Sequence, residues 1–193
     1  MLDPGPGAQL VNSYALVSYL PDPLGAFLNR LRTELEPDSL SPRAHLTLLP
    51  PRELPEGVTP DQAWLFLAAR LPKVPAPEVI LEEVEAFEGT YVVYVAVEDG
   101  VRETLERMHQ ELNDGPLRCC EKFNYHPHVT IAQKLTKEKS AEVLEEASGQ
   151  WSRFPHSKRF CANTFTFVRA TAEGHWVDLY EIKLACGRDG CGC

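Results

Sequence analysis

The apolar positions of this chain fall into short alternating runs and longer runs with helical spacing, and the two kinds take turns along its length. Tyr14 to Leu20 is rich in residues that suit a pleated surface and predicts a strand. Asp22-Pro23 predicts a helix start, with Asp as N-cap and Pro in the first turn, and Leu24, Phe27, Leu28 and Leu31 form one apolar stripe behind it. Pro37 and Pro42 bracket a loop, and a strand from about Arg43 to Leu49 is expected to stop at Pro50-Pro51. Thr59-Pro60-Asp61-Gln62 has the capping-box pattern, ahead of a helix that buries Trp64, Leu67, Ala68 and Leu71. Residues 72–77 are a turn-rich connector, and Val79 to Phe87 predicts a strand with one face in water.

After Gly89-Thr90 the pattern starts again. Tyr91 to Val97 is a nearly continuous apolar run of the kind found at a sheet centre. Val101, Leu105, Met108 and Leu112 mark a helix that ends at Asn113-Asp114-Gly115-Pro116, and a short alternating strand follows at His128. Thr136 can cap a further helix with Val143, Leu144, Ala147 and Trp151 inward, and Arg159 to Arg169 pairs with His175 to Leu184 across a Glu173-Gly174 turn.

This repeated order predicts an α+β fold of two pseudo-symmetric lobes, each an antiparallel-rich sheet with two helices, facing across a central cleft. Lobe one is expected over about 14–88 and lobe two over about 89–185, as a single bilobal domain. Residues 1–13 make a Pro/Gly-rich leader expected to be poorly ordered, and 186–193 a Cys/Gly-rich tail.

Each lobe carries a His-x-Thr. In Ala44-His45-Leu46-Thr47-Leu48 and Pro127-His128-Val129-Thr130-Ile131, side-chain alternation puts His and Thr on one face and the apolar residues on the other. One such tripeptide is a common accident. Residues 45 and 128 lie 83 apart, however, and so do 47 and 130, as an internal repeat requires. The spacing within each half is looser: 31 residues separate Tyr14 from His45 and 36 separate Val92 from His128, which marks the loop with Cys119 and Cys120 as an insertion.

Composition narrows the chemistry. A net charge of −9 over 193 residues weighs against a surface that grips a DNA duplex through its phosphates, while leaving room for a small anion in a local pocket. No apolar run reaches the ~18 residues of a membrane span and the amino-terminal residues do not resemble a signal peptide, so a soluble, cytoplasmic protein with no membrane partner is expected. The six cysteines are expected to be reduced thiols, and Cys186, Cys191 and Cys193 offer no fourth ligand at zinc-site spacing. Oligomeric state leaves no sequence signature.

Two imidazoles across a cleft can act as acid and base because an unperturbed His titrates near ~6.5, and the Thr hydroxyls suit the non-bridging oxygens of a phosphate. His126-Pro127-His128 also permits a metal pair with His45 as a third ligand, although the upstream motif has no matching second His. The duplicated His45-Leu46-Thr47-Leu48 and His128-Val129-Thr130-Ile131 resemble the paired motifs of the 2H phosphoesterase superfamily, most similar to its bacterial 2′-5′ RNA ligase and cyclic phosphodiesterase branch.

That resemblance implies attack on a 2′,3′-cyclic phosphate of an RNA end or small nucleotide, with no metal and no other cofactor. It makes His128 the base, His45 the acid, and Thr47 and Thr130 the phosphate-binding pair. It also implies a possible reverse reaction, ATP-independent 2′-5′ RNA ligation. The alternative is a non-catalytic module that binds a nucleotide or RNA end in the same cleft. Weaker candidates for substrate contact are Arg43, Tyr125 and Tyr14, with Arg52 and Lys134 as phosphate-steering cations and Phe123 as a base-stacking ring. His109, His156 and His175 show no partner pattern.

Overall fold

The computed structural model of the chain describes residues 9–36 and 43–185. The expectations for the start of the leader, for the Pro37–Pro42 loop and for the cysteine-rich tail lie outside these residues. In chain order the elements are β1 (Leu10–Tyr19), α1 (Leu24–Leu35), β2 (His45–Arg52), α2 (Pro60–Ala68), β3 (Glu78–Ala86), β4 (Val93–Val97), α3 (Asp99–Leu112), β5 (His128–Ala132), α4 (Lys137–Ser152), β6 (Arg159–Cys161), β7 (Thr164–Thr171) and β8 (Trp176–Lys183). They build two four-stranded sheets, ordered β2-β1-β7-β8 and β5-β4-β3-β6, with every strand pairing antiparallel. The α+β class and the two facing sheets are as the sequence pattern predicts.

Local chemistry explains most of the elements. Thr59 and Gln62 form the complete capping box of α2, and the Thr136 side chain accepts from Lys139 N–H at the start of α4. Asp22 caps α1 from further out than expected: its carboxylate accepts from Ala26 N–H at 2.9 Å, and Pro23 occupies the N-cap position. β1 starts at Leu10, so residues 10–13 of the expected leader are strand. β2 runs through Pro50-Pro51 rather than stopping there, because it is an edge strand and its missing N–H groups leave no neighbour unpaired.

The two sheets are not two halves of the chain. β3, expected in lobe one, joins the second sheet because the short turn at Gly89 makes it the antiparallel partner of β4. The strand expected over Arg159 to Arg169 divides into β6, which edges the second sheet beside β3, and β7, which crosses back to pair with β1. Each sheet is thus completed by strands from the other side of the 88/89 boundary. One continuous core, from Leu16 and Leu28 through Val95 and Val129 to Trp151 and Phe165, fills the interior. A separate small apolar cluster of Ala15, Val17 and Val168, flanked by Tyr19 and Trp176, lies on the other face of the first sheet.

The strand register defines the internal repeat. Val17 pairs with Thr47 and Tyr19 with His45, while Tyr94 pairs with Thr130 and Ala96 with His128. Val17 and Tyr94 lie 77 apart, as do the buried helix residues Leu28 and Leu105, and Arg32 and His109. The motif strands lie 83 apart, so the inserted segment between α3 and β5 amounts to six residues. The helices then cross over: α1 packs against β5, and α3 against β2.

Candidate functional site

β2 and β5 are the edge strands of their sheets, and their alternation turns His45, Thr47, His128 and Thr130 toward a shared cleft while Leu46, Leu48, Val129 and Ile131 are buried in the core. The cleft encloses about 700 Å³. Ala15, Val17, Val168 and Trp176 of the first sheet give it an apolar floor, and Cys119 to Tyr125 of the inserted loop forms one wall.

Both histidines are held in the same way. His45 Nδ1 lies 2.7 Å from the Arg43 carbonyl and His128 Nδ1 lies 2.7 Å from the His126 carbonyl, each two residues upstream. A carbonyl oxygen only accepts, so Nδ1 carries the hydrogen, and Nε2 is the nitrogen left for cleft chemistry. The entry to β2 is itself fixed: Asn29 of α1 accepts from Ala44 N–H at 2.6 Å, and Ala44 O accepts from Leu20 N–H at 3.1 Å.

Burial pushes His45 down to about 4, with the Arg32 guanidinium and His128 acting in the same direction and the Arg43 carbonyl opposing. Burial also lowers His128, against the His126 carbonyl, and its ring sits edge-on to Phe87 and Tyr94 at 5.1 and 5.2 Å. Both imidazoles are therefore neutral near pH 7 before an anion binds. Each offers an Nε2 lone pair beside a hydroxyl, and a bound anion favours the protonated form of either.

The weaker candidates separate. Tyr125 lines the cleft, but its ring stacks on His109 at 4.0 Å and its hydroxyl donates to the Thr47 carbonyl at 2.8 Å, so it joins the two sides of the cleft. Tyr14 is no substrate contact: it is 2% exposed in the core and stacks on Phe167, because an odd shift along β1 takes it to the face opposite Ala15 and Val17. Arg43 contributes its carbonyl; its guanidinium lies outside the cleft, 3.9 Å from the Tyr19 ring centroid and 3.9 Å from Asp178. Arg52 is buried and bonded to Asn113, the Leu117 carbonyl and Glu121, which makes it a tie to the inserted loop rather than a phosphate guide. Lys134 is not among the residues that line the cleft, whereas Phe123 is exposed at its lip.

His109 has the partners its sequence context lacks. It bonds the Leu48 carbonyl through Nδ1 at 2.9 Å and lies 3.3 Å from Glu121 through Nε2. Among the described residues, no group of three His, Cys, Asp or Glu is placed to hold a metal, and His126 instead packs edge-on to Phe87 and Tyr94. Cys119 and Cys120 are free and line the cleft, while Cys161 is disulfide-bonded, contrary to the expectation of thiols throughout. The residue that sequence patterning passed over is Arg32. It follows Leu28 by one helical turn, and a charge on the buried stripe of α1 was its signal.

Two pseudo-symmetric sheets with an imidazole and a hydroxyl projecting from each edge strand define a bilobal phosphoesterase architecture. The model of the 2′-5′ RNA ligase superfamily matches residues 20–172, and the chain belongs to that superfamily, whose members are 2H phosphoesterases. A Geobacillus sp. (strain WCH70) protein provisionally named a phosphoesterase is 30% identical over 150 residues, 75% of this chain and 80% of the relative. A second relative with the same provisional name, from Geobacillus kaustophilus (strain HTA426), is 25% identical over 182 residues, 91% of this chain and 98% of its own. The fold is that of E. coli LigT, whose complex with 3′-AMP superposes with a TM-score of 0.62 at 16% identity, covering 92% of this chain and 98% of LigT. TT0787 of Thermus thermophilus superposes with a TM-score of 0.54 at 23% identity, covering 90% of this chain and 98% of its own. Among the described residues no helix is long and apolar enough to cross a membrane.

Proposed function

We propose that this protein hydrolyses 2′,3′-cyclic phosphates, at RNA ends or on small nucleotides, without a metal ion. The observation that carries this is the matched pair of histidines, each with Nδ1 bonded to a carbonyl two residues back and each beside a threonine on one cleft. The phosphate sits between Thr47 and Thr130, whose hydroxyls donate to its non-bridging oxygens. Following the superfamily resemblance, His128 Nε2 takes a proton from water as the water oxygen bonds to phosphorus. His45 Nε2–H gives its proton to the ribose oxygen as the other P–O bond breaks, and a phosphomonoester leaves. With a 5′-hydroxyl end in place of water, the 5′-oxygen bonds to phosphorus as the ribose P–O bond breaks, and the resulting phosphodiester is RNA ligation without ATP.

The bound phosphate also favours uptake of the missing proton from solvent. Both histidines are neutral before substrate binds, and an anion beside His45 offsets the field of Arg32 and favours the imidazolium that the acid role requires.

A turnover panel of 2′,3′-cyclic mononucleotides, cyclic-phosphate oligonucleotides and 2′-5′ linked RNA tests this. Hydrolysis is expected to persist in chelator and to fall by about 10²-fold or more in either His45→Ala or His128→Ala, the usual cost of losing a general acid or base. Binding without turnover across the panel would replace the enzyme with a nucleotide-binding module.

A further inference from the structure

We propose that Arg32 of α1 is the cation that receives the substrate phosphate in this cleft. The inference rests on the phosphoesterase function proposed above and adds a residue that the paired motifs do not contain.

Among the described residues, Arg32 and Lys122 are the cationic side chains that line the cleft. Lys122 stands at the lip, its ammonium 5.1 Å from the centroid of the exposed Phe123 ring. Arg43 is turned away onto Tyr19 and Asp178, and Arg52 is held by Asn113, Leu117 and Glu121. Arg32 lies in the cleft wall itself. It is 7% exposed, lies on the helix that packs against β5, and shares the cleft wall with His45, Thr47, His128, Thr130 and Gln133.

The internal repeat shows why a charge is there. Arg32 and His109 occupy equivalent helix positions, 77 residues apart, one turn beyond Leu28 and Leu105. In the second half the inserted loop brings Glu121 and Tyr125 onto His109 and removes it from the cleft. The first half has no such insertion, and the equivalent position opens onto the motif residues. Burying a guanidinium is costly without compensation. Glu36, one turn further along, offsets part of that cost and accepts from Gln133 N–H at 3.1 Å, which fixes the end of α1 against β5.

A guanidinium offers a planar fork of donors that matches two phosphate oxygens, and its charge persists at any working pH. As water adds to phosphorus, negative charge on the non-bridging oxygens increases. A fixed cation in a water-poor wall then stabilises the transition state more than the ground state.

Calorimetric titration of the purified full chain with inorganic phosphate, alongside turnover of adenosine 2′,3′-cyclic phosphate, tests the assignment. Arg32→Gln is expected to weaken phosphate binding about tenfold and to lower kcat/KM about 10²-fold, the range seen for removing a charge-assisted donor from an oxyanion. Arg32→Lys recovers part of both, and Lys122→Gln changes either by less than about threefold. Phosphate affinity and turnover in Arg32→Gln equal to wild type would overturn the proposal. If Arg32→Gln unfolds, Arg32→Lys is decisive, because the lost fork must still weaken phosphate binding and an unchanged affinity rejects the role. Wild-type protein that binds phosphate through Arg32 yet leaves the cyclic nucleotide intact would overturn the hydrolytic function while supporting this site.

Discussion

The two halves of the repeat hold their histidines identically and surround them differently. In the first half His45 has Tyr19 as its strand partner and an arginine from α1 beside it; in the second, His128 pairs with Ala96 and rests against Phe87 and Tyr94. A tyrosine backed by a carboxylate stands near each, Tyr19 on Asp178 and Tyr94 on Glu85, but in different registers. The repeat therefore conserves what positions Nε2 and varies what sets its charge. Two imidazoles in identical surroundings titrate together, whereas an acid and a base need environments that push them apart.

Exchanging the leaving group gives the largest expected difference between the halves. Replacing the ribose leaving group with p-nitrophenolate, which departs without protonation, should restore His45→Ala to within about tenfold of wild type while leaving His128→Ala down by about 10²-fold or more. The opposite pattern in steady-state rates would exchange the acid and base roles.

The next effect concerns the insertion that only the second half carries. Arg52, 4% exposed, joins β2 to that loop through Glu121 at 2.5 Å. Arg52→Met leaves Glu121 without its main cation in a largely buried setting and is expected to cost about 3 kcal/mol in chemical denaturation. A loss under about 1 kcal/mol would show that the loop contributes little to holding β2.

Tyr125→Phe removes the hydroxyl that donates to the Thr47 carbonyl and keeps the ring stacked on His109. A hydrogen bond of this kind contributes about 1 kcal/mol, so kcat should fall roughly fivefold with stability shifted by a similar energy. An unchanged kcat would mean that Thr47 is aligned by its own sheet alone.

The smallest effect is on stability against pH. Both histidines titrate below their ordinary value in the folded protein, so the native state binds fewer protons than the unfolded chain once pH drops below about 6.5. The stability present above that pH is lost as pH falls toward about 4, where His45 itself protonates. For His45, partly open to the cleft, the loss by pH 5 is expected to be on the order of 1 kcal/mol, or ~2–4 °C in Tm. His45→Asn should flatten the curve more than His128→Asn, and equal slopes would erase this difference between the two halves.

How much was legible beforehand follows the range of the forces involved. Strand alternation and the equal spacing of the two His-Thr pairs bring the four motif residues to one cleft, because facing within a strand is a local property. Helix caps at Thr59 and Thr136 were legible for the same reason. The lobe boundary was not. Whether β3 and β7 complete their own sheet or the other depends on which edge is left unpaired across the whole fold, and no window of sequence records that. Tyr14 was misassigned because a strand of apolar residues on both faces does not show which face meets the cleft.

The sequence by itself determined the repeat, the α+β class, the paired imidazoles and hydroxyls, and the superfamily those residues resemble. Tertiary structure alone decided which other charges reach the cleft. Arg43, Arg52 and Lys134 flank the motifs in sequence and are turned away, bonded elsewhere or absent from the cleft lining, while Arg32, thirteen residues before His45, lines the wall. The physical reason is that alternation fixes direction only within one strand, whereas the approach of a helix to a neighbouring sheet is set by the packing of its apolar stripe. On α1 that stripe runs through Leu24, Leu28 and Leu31 and delivers Arg32 to the cleft with them.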